Sequence, residues 1–191
     1  MEYDLQAAQE QEEAFLMANY ARLPVLFVRG QGTRLWDDTG KEYVDFVSGL
    51  GACVTGHCHA EVIAAVVRQV TQLIHVTNLY YTRPQGELAE MLTGYTFADK
   101  AFFCNSGTEA SEAAIKLARK YMREVRGEER FKVVSALRSF HGRTYGSLAA
   151  TGQAGRNGSL GLAEGPMPHP NSILQSSIFA ARLIPRKIGI R

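Results

Sequence analysis

Ala101-Phe-Phe-Cys-Asn-Ser-Gly-Thr-Glu-Ala-Ser-Glu-Ala-Ala-Ile-Lys-Leu-Ala-Arg-Lys-Tyr-Met-Arg-Glu-Val125 is the stretch that decides how the chain is built. It opens on a short apolar run, Ala101–Cys104, which predicts a buried strand. Ala110, Ala113, Ala114, Leu117, Ala118, Tyr121, Met122 and Val125 then recur three and four residues apart, which predicts a long helix with one apolar face. A second apolar run, Phe131–Ala136, and a short helical segment, Thr144–Ala150, follow. Strand, helix, strand, helix predicts an α/β fold with a parallel sheet and crossover helices.

The junction Phe103-Cys-Asn-Ser-Gly-Thr-Glu109 lies where the first strand hands over to the long helix. The first amides of a helix have no acceptor within it, and the helix dipole is positive there. Gly107 lets a ligand approach the backbone, and Ser106 and Thr108 add hydroxyls. Such a junction suits a phosphate. Ser106 and Glu109 also have the spacing of an ordinary capping box, which the same residues satisfy with no ligand. Neither a Gly-x4-Gly-Lys-Ser/Thr loop nor a Gly-x-Gly-x-x-Gly turn occurs at this junction.

Ser139-Phe-His-Gly-Arg-Thr-Tyr145 follows the second strand and is expected at the same carboxyl edge, where open α/β sheets bind ligands. Phe140, His141 and Arg143 offer an aromatic face, an imidazole and a guanidinium fork for a carboxylate. The plain alternative is a loop with Phe140 packed inward and Arg143 paired on the surface. Cys53, His57, Cys58 and His59 match no four-ligand zinc framework, so no metal is expected. Ser106 and His141 lack the elbow and third group of a hydrolase.

Working back toward the N-terminus, residues 4–19 predict an acidic helix. Val25–Val28, Thr33–Trp36 and Glu42–Val47 predict a small antiparallel meander, with turns at Arg29–Gly32 and Asp37–Gly40. Gly49, Gly51 and Gly56 predict a loop, and Ile63–Ile74 a helix. Thr82-Arg-Pro-Gln85 resembles a capping box, and Gly94 is placed to stop the helix that it starts.

The chain has 191 residues, 46% apolar and 21% charged, and a formal charge of +2. No apolar run is long enough to span a membrane. The first residues are acidic where a leader would be basic, and three cysteines point to reduced thiols, so a cytoplasmic protein is expected. The charge is uneven. Residues 1–153 hold 16 Lys and Arg against 18 Asp and Glu, a formal −2, while residues 154–191 hold five basic groups and one acid, a formal +4. That tail also carries four of the six prolines. Its basic groups are too few and scattered for a nucleic-acid or membrane footprint.

Cys104–Arg119 and Ser139–Gln153, taken together, resemble the class III (subgroup II) pyridoxal-phosphate aminotransferases, nearest to the acetylornithine type. Leu35–Phe46, Gly56-His-Cys-His59 and Asn78-Leu-Tyr-Tyr-Thr82 resemble the same family, in the same order. The resemblance implies the N-terminal portion of the type I fold of these transferases. Residues 1–75 would contribute to the small domain, residues 76–153 would begin the large cofactor-binding domain, and residues 154–191 would be foreign to the family, as from a shifted frame or an erroneous gene model. Ser106, Gly107 and Thr108 would form the cofactor-phosphate cup. Phe140 would stack on the pyridine ring with His141 beside it, and Arg143 would hold the substrate α-carboxylate. Asn78, Tyr80 and Thr82 would lie near the active site and dimer interface.

The implied reaction moves an amino group from N-acetylornithine, or a similar ω-amine, to 2-oxoglutarate within a homodimer, with pyridoxal phosphate as electron sink. Chains of that family are roughly twice this long, in keeping with a multi-domain enzyme. No lysine here matches the context of the family's Schiff-base lysine. The chain is therefore expected to be catalytically incomplete. The alternative is a non-catalytic fragment that associates with or regulates a full-length aminotransferase.

Overall fold

The structure is a computed structural model and describes residues 4–153. The tail read as foreign lies outside the described residues. The chain divides between Tyr80 and Tyr81 into two units.

The first unit begins with helix α1, Leu5–Phe15, capped by the Asp4 side chain, which accepts from the Gln6 amide. The Leu5 amide donates to Asp38 Oδ2 at 2.9 Å and ties the helix to the meander. The meander is a three-stranded antiparallel sheet of β1 (Phe27–Gln31), β2 (Arg34–Asp37) and β3 (Glu42–Val44), in the order β1-β2-β3. Arg29–Gln31 were read as a turn but belong to β1. Gln31 faces Arg34, so the turn is only Gly32 and Thr33, with Gly32 at φ 56°. At the second turn, Asp37 gathers the Thr39 amide, the Thr39 hydroxyl, the Lys41 amide and the Tyr43 hydroxyl, all within 3.0 Å. The Thr39 hydroxyl leads in holding its carboxyl below the usual carboxylate range.

The glycine-rich stretch is more ordered than a loop. Ser48–Gly51 (α2) form one left-handed turn, with positive φ at all four residues. Asp45 Oδ1 accepts from the Val47 and Ser48 amides that lead into it, and Asp45 Oδ2 pairs with His57 Nε2 at 2.7 Å. His57 thereby ties the loop together. Helix α3, Ala60–Val70, completes the unit.

The second unit holds α4 (Arg83–Tyr95), α5 (Gly107–Glu124) and α6 (Tyr145–Ala150). Thr82 makes no side-chain capping bond, so the capping box read there is absent; Pro84 still lies in the first turn. Gly94 does not stop α4. The helix runs to Tyr95, and the Thr96 hydroxyl donates to the Leu92 carbonyl, supplying a partner that the helix end lacks.

Neither Ala101–Cys104 nor Phe131–Ala136 joins a ladder, so the expected parallel strands are not formed among the described residues. A strand exists only beside a neighbour that takes its amides and carbonyls. Phe102, Phe131, Val133 and Val134 are all exposed, so these apolar runs lack a sheet and a covering layer alike. Leu148 and Ala150 of α6 are the buried apolar residues among those described. The α3 face of Val62, Ile63, Val66, Val67 and Val70 stays 46–59% exposed. The result is an α/β chain with one small antiparallel sheet and amphipathic helices, of which α3 and α4 keep their apolar faces open.

Candidate functional site

Helix α5 starts as its sequence demands. Ser106 is extended, with φ −153° and ψ 159°, and its Oγ accepts from the Glu109 amide at 3.3 Å. Glu109 reaches back, its Oε2 accepting from the Asn105 amide at 2.7 Å and the Ser106 hydroxyl at 3.1 Å. This is a capping box shifted by one residue, because the return bond lands on Asn105 rather than Ser106. The Asn105 side chain leads in holding the Glu109 carboxyl below its usual range. The cap uses the Glu109 amide and leaves the amides of Gly107 and Thr108 without an acceptor inside the helix. Space beside Gly107 is open.

The second motif folds onto this start. Ser106, Gly107, Thr108, Ser111, Phe140, His141, Gly142 and Arg143 line one open cleft of about 330 Å³. The five residues expected around the cofactor, Ser106, Gly107, Thr108, Phe140 and His141, thus meet there with Arg143, expected to hold the substrate carboxylate. The meeting does not depend on the missing strands. A compact joint makes it instead: Thr108 Oγ1 lies 3.0 Å from Thr144 Oγ1 and 2.5 Å from Ser147 Oγ. Gly142, at φ 131°, passes so close that a Cβ there would overlap Thr108 Oγ1 and Ser147 Oγ.

Inside the cleft, the groups are chemically mixed. Arg143 Cζ lies 5.5 Å from the centre of the Phe140 ring, a cation–π contact over one ring face. The His141 backbone amide donates to Thr151 Oγ1 at 3.1 Å. His141 Nε2 is buried with no hydrogen-bond partner among the described residues. Buried polar atoms are almost always paired, so this nitrogen is a ready contact for a polar ligand. Helix-start amides, a guanidinium, a ring face and an orphaned imidazole nitrogen suit an anionic group attached to a flat heterocycle. No lysine is among the lining residues.

Two parts of the site were not read from the sequence. Ser111 lies one turn beyond Gly107 and its hydroxyl donates to the Gly107 carbonyl at 3.0 Å; its four-residue offset on the same helix face was the available signal. Glu112 accepts from the Thr144 hydroxyl at 2.5 Å and the Ser147 amide at 3.0 Å, and no local spacing announces a contact over that separation. Of the Asn78-to-Thr82 segment, Asn78 and Tyr80 belong to the first unit and Thr82 opens α4 of the second.

Comparison with known proteins is consistent. The acetylornithine aminotransferase of Nostoc is 51% identical over 142 residues, covering 74% of this chain and 33% of that protein. The acetylornithine aminotransferase of Aquifex aeolicus is 56% identical over 140 residues, covering 73% of this chain and 37% of that protein. Among solved structures, the ornithine aminotransferase of Toxoplasma gondii, which holds PLP at partial occupancy in its active site, superposes with a TM-score of 0.76 at 30% identity, covering 80% of this chain and 36% of that one. The acetylornithine aminotransferase of Elizabethkingia anophelis superposes with a TM-score of 0.65 at 36% identity, covering 70% and 35%. The chain thus spans about a third of the length of the curated relatives it matches. Residues 15–174 match the class-III aminotransferase family, past the Gln153 boundary suggested by composition, and the chain belongs to that family.

Proposed function

We propose that the cleft is the phosphate and ring end of a pyridoxal-phosphate site in an aminotransferase of acetylornithine type. The observation that carries this reading is the convergence of the capped α5 start with Phe140, His141 and Arg143 around one cleft. The Gly107 and Thr108 amides would hold the phosphate, Phe140 would cover the pyridine ring, and His141 Nε2 would contact its polar edge. Arg143 would fork onto the carboxylate of an amino donor such as N-acetylornithine or of 2-oxoglutarate. When bound, the cofactor would supply an electron sink for breaking the C–H bond at the carbon that bears the transferred amine. This chain's residues supply orientation and charge complementarity.

No lysine among the described residues lines the cleft, and the chain by itself is proposed to bind pyridoxal phosphate without a covalent bond and not to turn over. Three free cysteines suit a reducing compartment, the cytoplasm. The family likeness supports a homodimer as the working assembly. The open apolar faces of α3 and α4 favour a second reading, in which this chain associates with a full-length aminotransferase and regulates it. The part of residues 154–191 that lies beyond the family match, which ends at residue 174, we propose to be foreign to the family sequence.

The test is to purify the 191-residue chain, add pyridoxal phosphate, and record its spectrum before and after borohydride. Saturable binding with no lysine adduct is expected. A stoichiometric adduct at one lysine, with transamination, overturns the incompleteness. No saturable binding overturns the cofactor site. Co-purification with the intact enzyme supports the second reading.

A further inference from the structure

We propose that Glu112 is the positioning residue of this site: its carboxylate locks Thr144 and Ser147, and through their hydroxyls Thr108, so that the His141–Arg143 segment is held against the start of α5. The inference rests on the phosphate reading of that helix start and adds a residue that touches no ligand.

Glu112 lies five residues beyond Gly107 in α5. An ionised carboxylate only accepts, so both the Thr144 hydroxyl and the Ser147 amide must donate to it. The Thr144 proton is thereby committed, and its oxygen has only lone pairs to offer Thr108 and Ser147, at 3.0 and 2.7 Å. One carboxylate thus makes the Thr144 hydroxyl an acceptor toward both neighbours. It also satisfies an amide at the start of α6, where negative charge is favoured. The Thr144 hydroxyl, then the Ser147 amide, hold the Glu112 carboxyl below its usual range, so it is ionised at neutral pH. From α6 the connection runs back to the cleft. Thr151 Oγ1 takes the His141 amide and donates to the Ser147 carbonyl at 3.0 Å. Gly146 leaves the room that the carboxylate occupies; a Cβ there would overlap it.

The experiment compares the native 191-residue chain with E112A, E112Q and T144V, by phosphorus NMR titration with pyridoxal phosphate and with inorganic phosphate, and by amide hydrogen exchange at Ser147. E112A and T144V should each weaken both ligands about tenfold, the order expected from one lost charge-assisted hydrogen bond. Both should also speed exchange at Ser147. E112Q keeps an amide oxygen for both donors and should rescue affinity to within about threefold of native. Unchanged affinity in E112A and T144V overturns the proposal, and so does E112Q binding as weakly as E112A. Should the native chain bind neither ligand, the phosphate reading fails alone. Exchange at Ser147 then still decides the joint: unchanged in E112A, it overturns the role of Glu112; faster, it upholds it.

Discussion

The Ser147 amide donates to Glu112 Oε1 across 3.0 Å and 35 residues of chain. The bond joins α5 to α6, and its strength depends on protonation. Glu112 has an ordinary value of 4.5 in the unfolded chain and a lower one when folded. A depressed carboxylate contributes stability that is complete above the unfolded value and is lost as pH falls through the folded value. The α5–α6 joint should therefore hold at neutral pH and loosen below about pH 4.5. Amide exchange at Ser147, corrected for intrinsic rates, should rise in that acid window in the native chain. In E112Q the acid step should vanish.

Gly142 and Gly107 line the same cleft but should respond oppositely to alanine. At Gly142 the backbone is left-handed and the added carbon overlaps Thr108 and Ser147, so G142A should destabilise by about 2–3 kcal/mol and weaken phosphate binding. At Gly107 nothing lies within 4 Å of an added carbon, so G107A should leave unfolding within about 0.5 kcal/mol of native. Any loss of phosphate affinity in G107A then reports the ligand itself approaching the backbone. Urea unfolding followed by phosphate titration of both variants checks this.

Ser106 accepts the Glu109 amide, so S106A removes a working cap. The expected cost is about 1 kcal/mol, with fraying at the first turn of α5. Ser106→Asn should restore stability, because its side-chain amide can accept from the Glu109 amide and donate to the Glu109 carboxylate. Loss of the hydroxyl should nevertheless weaken phosphate binding. Circular dichroism melts paired with phosphate titrations separate the cap from the site.

That pair of roles shows how far the sequence could be read. The cap at Ser106 and Glu109 is legible because both partners lie within one helical turn, where spacing fixes geometry. Phe140, His141 and Arg143 were legible as companions of that cap through the strand–helix order, although among the described residues the strands find no neighbours to pair with and are not formed. Glu112 and Ser147 were not legible. Each looks like an ordinary helix residue, and their contact depends on how two helices meet. Thr82 and Gly94 failed for a related reason: each motif states only a backbone preference, but Thr82 makes no bond to the helix start, and α4 ends one residue past Gly94, where the Thr96 hydroxyl takes the Leu92 carbonyl.

Val66 and Val67 point from α3 with 59% and 54% of their surface exposed. An apolar face left open drives association, since burying it recovers about 25 cal/mol per Å². The native chain should self-associate at micromolar concentration. V66K and V67K together should reduce the sedimenting mass yet shift unfolding by less than about 0.5 kcal/mol, because neither side chain fills a core. Loss of stability without a change in mass would mean that the face is covered.

Phe140 and the α5 start should contribute separately to cofactor affinity. The ring lies against Arg143, lines the cleft and is 52% exposed. The helix-start amides act on the phosphate alone. F140A should weaken pyridoxal phosphate about fivefold, the order of about 1 kcal/mol for one aromatic contact. Inorganic phosphate, which has no ring to stack, should bind F140A within about twofold of native. A parallel titration of both ligands checks the separation. Equal weakening of the two would show that Phe140 supports the joint rather than the ring, and would move the heterocycle elsewhere in the cleft.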